Sequence, residues 1–290
     1  MIPAPFDYHR PGTLDEAVAL LARYGDGAKV LSGGMSLLPV LKLRLGAVAH
    51  LVDIGRIPGL EYIKEEGGTL KIGGGTRQAT LERSELIAAK YPILRDAVGL
   101  IADPLVRNRA TVGGNLANGD PGNDLPAIMT ALGATLVVRG PKGERTVPAS
   151  QFFKGIYSTA LAPDEILTEV RVPIPPPRSG GAYLKLKRKV GDFAAAAAAV
   201  QVTLDAKGGI ERASVALTNA GATPIEAADA AKYLAGKALD DKVIAEASRL
   251  AAAKSAPSAD RRGSVEYKKE MARVLTGRAL RKAVARAGGR

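Results

Sequence analysis

Two glycine pairs, eighty residues apart, constrain this chain more than any other feature. Gly33-Gly34 lies within KVLSGGMSLLPVLKLRL (29–45), and Gly113-Gly114 lies within ATVGGNLANGDPGNDLPAIMTALGA (110–134). In each segment an apolar stretch leads into the glycine pair, and a predicted helix follows. Glycine leaves the backbone N–H groups uncovered, so a diphosphate can approach them, and a helix N-terminus behind the turn adds a favourable field. The two turns predict one elongated, phosphate-containing ligand that is held from two sides.

The amino-acid composition excludes disulfides and several kinds of catalytic and metal-binding site. The 290 residues are 46% hydrophobic, which is enough for two or three packed units. There is no cysteine, which excludes disulfides, thiolate nucleophiles and cysteine-ligated metal centres in this chain. Two histidines, His9 and His50, argue against a multi-histidine metal site. No apolar run approaches the roughly 20 residues of a membrane span, and no secretory signal pattern is present, so we expect a cytoplasmic protein.

The formal charge of +12 raises the question of nucleic-acid binding. Residues 261–290 hold ten Lys/Arg and two Asp/Glu, a net charge of +8, so two thirds of the excess lies in this tail. Aromatic residues are 4% of the chain and tryptophan is absent, which supplies a base-stacking surface poorly. The tail fits a polyanion site, a docking surface for an acidic partner, or a solvated helix face. We expect no nucleic-acid partner.

The first 172 residues alternate between predicted helices and strands. Thr13-Leu14-Asp15-Glu16 has the form of a capping box, which predicts a helix to about Tyr24. Apolar runs predict strands over 28–31, 50–54, 60–63, 69–72, 135–139 and 166–172. Further helices are predicted over 36–44, 81–100 with an interruption at Pro92, and 125–132.

The proline-rich segment PIPPPRSGG (173–181) predicts irregular backbone and a domain boundary. The patterns beyond it predict strands over 183–189, 200–204 and 213–217, and helices over 227–234, 243–253 and 265–284. Lys207-Gly208-Gly209 is typical of a hairpin turn. The alanine run 194–199 by itself favours a helix, because alanine has the highest helix propensity.

Several blocks together resemble the FAD-binding medium subunits of the molybdenum hydroxylases, the xanthine dehydrogenase family. Besides the two glycine turns, the blocks are PAPFDYHRPGTLDEA (3–17), EILTEVRVP (165–173), YLKLKRKVGDFA (183–194) and DRRGSVEYK (260–268). Their order and spacing cover nearly the whole chain and are specific, whereas either glycine pair alone is a weak signal. Within the family, GDPGNDLPA (119–127) is most similar to the carbon monoxide dehydrogenase branch.

The resemblance implies an α+β protein with two domains. Residues 1–176 would form a two-part, PCMH-like α/β FAD-binding domain with a break near 55–60. Residues 177–290 would form a three-stranded antiparallel sheet with a helix bundle. The resemblance also implies a strand through the alanine run, and the alternation of Val200, Val202 and Leu204 supports that strand.

The same resemblance implies which residues bind the FAD. From the first turn these are Val30, Leu31, Ser32, Gly33, Gly34, Met35, Ser36 and Leu37. From the second turn they are Thr111, Val112, Gly113, Gly114 and Asn115. Backbone N–H groups and two serine hydroxyls would hold the diphosphate, at roughly 1.5–3 kcal/mol for each charge-assisted hydrogen bond. Where relatives commonly have Gln, His or Thr, this chain has Met35, which offers only a weak thioether acceptor and leaves the backbone contacts.

Some further residues implied by the resemblance have a structural alternative. Asp124 would contact the ribityl or ribose hydroxyls, or cap the following helix, or both. Ile101 would lie against the flavin ring and Leu167 near the cofactor, although their patterns alone are those of core residues. Phe193 would cover one face of the isoalloxazine, or be one more core aromatic.

Two lysines of the 183–189 segment have the same ambiguity. Lys185 and Lys187 share one face of the predicted strand. A cation there would stabilise the anionic reduced flavin and raise its potential. Alternatively, the two side chains belong to a solvent-facing alternation.

The residues show no Ser/His/Asp signature and no cysteine, so we expect no acid–base catalyst, and the resemblance implies an electron-transfer subunit. It implies a large molybdenum–pterin partner, a small partner with two [2Fe–2S] clusters, and a dimer of heterotrimers that delivers electrons to a quinone or another carrier. Carbon monoxide is the favoured substrate, and an aldehyde, xanthine or N-heterocycle is the alternative. Membrane association through the complex is a further expectation. A self-sufficient FAD oxidase and a nucleic-acid-binding module are the competing hypotheses.

Overall fold

Strands and helices alternate through the first half of the chain, and longer strands precede the last three helices, in a computed structural model that describes residues 2–288. The strands are β1 (Asp7–His9), β2 (Ala28–Leu31), β3 (His50–Asp53), β4 (Ile63–Glu66), β5 (Thr69–Gly73), β6 (Thr135–Gly140), β7 (Gly143–Pro148), β8 (Phe153–Gly155), β9 (Ser158–Thr159), β10 (Ile166–Pro173), β11 (Ser179–Leu186), β12 (Ala196–Leu204), β13 (Ile210–Thr218) and β14 (Ile225–Glu226). The helices are α1 (Leu14–Tyr24), α2 (Leu37–Lys42), α3 (Gln78–Arg83), α4 (Glu85–Lys90), α5 (Pro92–Val98), α6 (Pro104–Arg107), α7 (Val112–Ala117), α8 (Asp124–Ala131), α9 (Ala149–Phe152), α10 (Ala228–Leu234), α11 (Asp241–Lys254) and α12 (Val265–Arg286).

A small parallel sheet forms the N-terminal layer, in the order β1-β3-β2. Helix α1 covers it with Ala17, Val18 and Leu21, which are buried. The predicted cap is confirmed, because the Thr13 hydroxyl accepts the Glu16 N–H at 3.2 Å. The first glycine turn leaves this sheet at the end of β2.

A five-stranded antiparallel sheet, β4-β5-β10-β6-β7, follows in the chain. Its β4–β5 hairpin turns at Gly67-Gly68, where φ values of +60° and +72° require glycine. Helices α3, α4, α5, α7 and α8 share one apolar core with this sheet, and the second glycine turn opens α7.

The C-terminal sheet, β11-β12-β13-β14, is antiparallel, and α12 packs across β11 and β12. Three long strands are present as predicted, and the two-residue β14 adds a fourth at the edge. The alanine run enters β12 and is not helical. Its alanines are buried on both faces, Ala196 and Ala198 toward the helix bundle and Ala197 and Ala199 toward the N-terminal core. Small side chains let layers approach β12 from both sides, and this packing outweighs helix propensity.

Two predictions, one of irregular backbone and one of a helix, need correction. Only residues 174–178 of PIPPPRSGG are irregular, because Pro173 ends β10 and Ser179 begins β11. A Cβ on Gly180 would lie 2.0 Å from the Ala283 carbonyl oxygen, so glycine permits close packing of α12 on this strand. The predicted 81–100 helix is three helices, since the chain also breaks at Ser84, whose hydroxyl accepts the Ile87 N–H. None of the helices within residues 2–288 is long and apolar enough to cross a membrane.

Candidate cofactor site

The two glycine turns lie against each other, although they belong to different sheets. The hydroxyls of Ser32 and Thr111 are 2.9 Å apart and hydrogen-bonded. A Cβ on Gly33 would lie 2.2 Å from the carbonyl oxygen of Arg109 and 2.8 Å from Cα of Ala110. Glycine at position 33 therefore allows the first turn to rest directly on the backbone that enters the second turn.

The first turn presents unpaired backbone donors. The N–H groups of residues 33–37 donate no hydrogen bond to any atom within residues 2–288, and the first N–H to bond back is that of Leu38, to the Gly34 carbonyl oxygen at 3.1 Å. Gly34 has φ of +79°, a conformation that a side chain would strain. These residues all border the same cavity, so the turn matches the predicted anion-binding backbone.

Unlike the first turn, the second turn uses the N–H groups of residues 112–115 for hydrogen bonds within the protein, and an equivalent clamp there stays a prediction. The N–H of Val112 donates to the Thr76 carbonyl oxygen at 2.9 Å, and that of Gly113 donates to the Gly74 carbonyl oxygen at 2.8 Å. Thr111 caps α7, because its hydroxyl accepts the Gly114 N–H at 3.1 Å. A Cβ on Gly113 would lie 2.7 Å from the Gly74 carbonyl oxygen, so this glycine serves close packing.

A cavity of about 610 Å³ lies beside both turns. All but two of the residues that the resemblance assigned to FAD border it, namely Val30, Leu31, Ser32, Gly33, Gly34, Met35, Ser36, Leu37, Ile101, Thr111, Gly113, Gly114, Asn115, Asp124, Leu167, Lys185 and Phe193. Val112 is fully buried in the core, and Lys187 donates to the Leu100 carbonyl oxygen at 3.2 Å. Neither of these two borders the cavity.

Asp124 and Lys185 form a buried ion pair at the cavity wall. Asp124 is not a cap, because it is already inside α8 and Asn123 precedes the helix. Its Oδ2 accepts from Lys185 Nζ at 2.8 Å, and its Oδ1 accepts from the Tyr183 hydroxyl at 2.5 Å. The Lys185 side chain is 1% exposed, which rules out a solvent-facing alternation at that position.

Burial sets the electrostatics of this wall. Loss of hydration raises the pKa of Asp124, and the Lys185 ammonium opposes that rise. Burial and the neighbouring Asp124 carboxylate raise the pKa of Tyr183 well above its ordinary value, which keeps its hydroxyl a donor. Burial, together with the Lys185 charge, lowers the pKa of Lys187. The Lys185 ammonium group is therefore already paired with the Asp124 carboxylate within the protein.

Phe193 stands at the cavity as a half-exposed ring. The residue is 43% exposed, so the core alternative is wrong. The Arg262 guanidinium lies 5.6 Å from its ring centroid, and Asp192 holds Arg262 in place through a 2.9 Å ion pair. Ile101 and Leu167, in contrast, are core residues that also border the cavity, and their contact with the flavin stays a prediction.

One polar residue of the cavity wall, Gln78, was not predicted from the sequence. Gln78 is fully buried, and neither Nε2 nor Oε1 of its amide has a hydrogen-bond partner within residues 2–288. The Oδ1 atom of Asn115 is likewise buried without a partner. No pattern distinguished Gln78, which stands at the start of an ordinary short helix. The volume, the unpaired donors of the first turn and these orphaned amide atoms fit a large, polar cofactor such as FAD.

Comparison with known proteins decides the family. Residues 4–175 match the FAD binding domain in molybdopterin dehydrogenase, and residues 181–283 match the CO dehydrogenase flavoprotein C-terminal domain. The chain belongs to the FAD-binding medium subunits of the molybdenum hydroxylases. The predicted family and the FAD-binding domain are thereby confirmed.

Full-length relatives agree with the family models. The chain is 50% identical over 287 residues to the carbon monoxide dehydrogenase medium chain of Afipia carboxidovorans, and the match covers 99% of each chain. The corresponding chain of Hydrogenophaga pseudoflava is 46% identical over 286 residues, again covering 99% of each. Both are medium chains of oxidoreductases, so this medium subunit is a flavoprotein subunit of an oxidoreductase.

Solved structures share the whole fold. A chain of the Cu,Mo-CO dehydrogenase in its cyanide-inactivated form superimposes with a TM-score of 0.96 at 49% identity, covering 99% of this chain and 100% of that one. Quinoline 2-oxidoreductase from Pseudomonas putida 86 gives 0.93 at 33% identity, covering 99% of each chain. The predicted α+β architecture, an FAD-binding domain followed by a sheet with helices, is confirmed.

Proposed function

We propose that this medium subunit is the electron-exit component of a molybdenum hydroxylase that oxidises carbon monoxide. It would take electrons from [2Fe–2S] clusters on a small partner subunit and pass them to an external acceptor, a quinone or another carrier. The substrate would be oxidised on a large molybdenum–pterin partner, in a dimer of heterotrimers. The observation that carries the proposal is the cavity beside the two turns, in a chain whose full length matches carbon monoxide dehydrogenase medium chains.

The first turn would make most of the hydrogen bonds to the diphosphate of FAD. The unpaired N–H groups of residues 33–37 are oriented by a fixed backbone rather than by flexible side chains, so little entropy is lost when they bind a diphosphate. Ser36 borders the same cavity and could add its hydroxyl, whereas the Ser32 hydroxyl is already hydrogen-bonded to that of Thr111. When bound, FAD supplies the redox chemistry, and the protein supplies position and electrostatics.

The opposite wall would fix the sugar and the rings. The Asp124 carboxylate has lone pairs left after its bonds to Tyr183 and Lys185, so it can also accept a ribityl or ribose hydroxyl. Ile101 and Leu167 offer apolar surface for a ring. Phe193, half-exposed at the cavity, would limit access to one ring face.

The domain limits belong to the same proposal. We place the FAD-binding domain at 1–176 and the C-terminal domain at 177–290, with the internal break near 55–60. In support, the chain changes sheet between β3 and β4 and again between β10 and β11.

Reconstitution and co-purification test the function. The full chain mixed with FAD should retain a yellow flavin absorbance after gel filtration, and a colourless protein would refute FAD binding. The chain expressed with its partners should co-purify with molybdenum and iron, and copper beside molybdenum would support carbon monoxide as substrate. A complex that holds molybdenum without copper and oxidises an aldehyde or an N-heterocycle would redirect the substrate assignment.

A self-sufficient oxidase finds no support in the histidines. His9 and His50 stack with Tyr24 against the N-terminal sheet, and neither borders the cavity. Reduction of the isolated chain's flavin by an alcohol or an amine would reverse this conclusion.

A further inference from the structure

Gln78 combines complete burial with an unpaired side-chain amide. Its main-chain N–H donates to the Ala110 carbonyl oxygen at 2.9 Å, which fixes the residue behind the second turn. The side chain is 0% exposed, and neither amide atom has a partner within residues 2–288. A buried donor or acceptor left unpaired costs roughly 1–3 kcal/mol, so native proteins almost always supply a partner.

The cavity is the source from which a partner can come. Gln78 borders it, and so do Ile101, Ala102, Val106 and Ala110, whose side chains carry no polar atom. The nearby Thr111 hydroxyl is already engaged by the Gly114 N–H and the Ser32 hydroxyl. The protein's own atoms therefore leave the hydrogen-bonding capacity of the amide unused, and the cavity that Gln78 borders is where a partner could lie.

We propose that the Gln78 carboxamide hydrogen-bonds the polar edge of a heteroaromatic ring of the bound dinucleotide. A primary amide presents an acceptor beside two donors, and it pairs in bidentate fashion with a ring edge that has a donor next to an acceptor. FAD carries two such edges, the amino group and ring nitrogen of adenine and the N3–H and carbonyl of isoalloxazine. The proposal rests on FAD as the ligand and adds a residue to those that the resemblance assigned.

Two substitutions in the full-length chain test this role, with a matched control. Gln78→Met keeps the length of the side chain and removes the amide, whereas Gln78→Glu keeps oxygen acceptors and removes the donors. Ser248→Ala is the control, because its hydroxyl is another buried orphan but does not border the cavity. We expect Gln78→Met to melt at or above the wild-type temperature without FAD and yet to bind FAD about tenfold more weakly. Gln78→Glu should also bind more weakly, and Ser248→Ala should bind FAD like the wild type.

Titrations with ADP and with FMN separate the two ring edges. An adenine contact predicts that Gln78→Met weakens ADP and leaves FMN unchanged. An isoalloxazine contact predicts the reverse, with a shifted visible absorption band of the bound flavin. Equal affinities of wild type and Gln78→Met for FAD, ADP and FMN would mean that water satisfies the amide, and would overturn the proposal. Failure of the wild type to bind FAD would refute the proposed function instead, so the two failures are distinguishable.

Discussion

At Gly33-Gly34 the backbone donors have no partner within residues 2–288, whereas the N–H groups of residues 112–114 donate to Thr76, Gly74 and Thr111 in turn. The two turns share a sequence pattern, an apolar stretch followed by two glycines and a helix. They differ in what the glycines accommodate. At the first turn a positive φ and a backbone contact accompany unpaired donors, and at the second turn the missing side chains let α7 approach Gly74.

The comparison separates ligand binding from folding. The first turn has backbone N–H groups without acceptors, and a bound anion can accept from them with little loss of conformational entropy. The second turn uses the N–H groups of residues 112–115 for hydrogen bonds within the protein, and it lies directly against the first turn. Substitutions at the two turns should therefore change different measured quantities.

The largest effect is expected at the buried ion pair on the second-turn side of the cavity. Lys185→Met leaves the Asp124 carboxylate buried without its cation, which typically costs about 3–5 kcal/mol of unfolding free energy. Urea unfolding of the apoprotein should show this loss. The double variant Asp124→Leu with Lys185→Met should recover part of it, because the apolar pair leaves no isolated charge. A double variant as unstable as the sum of the two single ones would contradict the ion pair.

Gly33→Ala should act on ligand binding. Its Cβ would lie 2.2 Å from the Arg109 carbonyl oxygen and 2.8 Å from Cα of Ala110. Because both of these are backbone atoms, the first turn must move away from the second. We expect FAD affinity to fall by about 100-fold or more, the loss of one or two charge-assisted hydrogen bonds. Flavin fluorescence titration measures this. Gly99→Ala is the control, since the nearest atom to its Cβ is 3.9 Å away, and unchanged FAD binding by Gly33→Ala would break the comparison.

The sequence predicted the two turns but not the difference between them. Residues 33–37 and 110–115 could be recognised because glycine pairs between apolar stretches and helices are local patterns. Whether a donor is free depends on residues far along the chain, here Gly74 and Thr76, which no local pattern connects to Val112 or Gly113. Gln78 was missed for the same reason, because its importance lies in the absence of a partner.

The fold shows the same division between local and long-range information. Helix α1, with its cap at Thr13, and strand β2 were predicted with their correct bounds. The pattern predicted the second half of strand β12, but its alanine half was predicted only through the family resemblance, because burial of alanines between two layers is a tertiary effect that overrides propensity. Residues 179–181 were taken as irregular because the pattern did not reveal how closely α12 approaches Gly180.

Gly113→Ala should act on stability more than on binding. Its Cβ would lie 2.7 Å from the Gly74 carbonyl oxygen, so α7 must shift, at a cost of about 1–3 kcal/mol. The melting temperature of the apoprotein should fall, while the FAD affinity of the folded protein should change less than in Gly33→Ala. A large loss of FAD affinity with no loss of stability would show that the second turn is a ligand clamp after all.

The smallest effect concerns the loss of stability in acid. We expect it to come from the ion pairs between Asp96 and helix α12, and not from the contact between the two glycine turns. The turns meet through the neutral Ser32 and Thr111 hydroxyls, whereas Asp96 binds Lys282 and Arg286 of α12 across the domains. Burial works to raise the pKa of Asp96, but these two cations and the Tyr183 N–H hold it below its ordinary 3.8.

A lowered carboxylate pKa stabilises the folded state above the unfolded pKa, and that stability is lost as the pH falls through the folded one. Asp96→Asn should therefore cost about 1 kcal/mol at pH 7 and progressively less as the pH falls below about 4, where the wild-type carboxyl becomes protonated. Chemical unfolding from pH 7 down to pH 3 checks the convergence of the two stability curves. Ser32→Ala, measured in parallel, should run at a constant offset from the wild type, since its hydroxyl does not titrate. If the stability of Asp96→Asn instead differs from that of the wild type by a constant amount at every pH, the Asp96 ion pairs do not cause the acid sensitivity. The contact through Asp96 would then not differ in its pH dependence from the contact between the two turns.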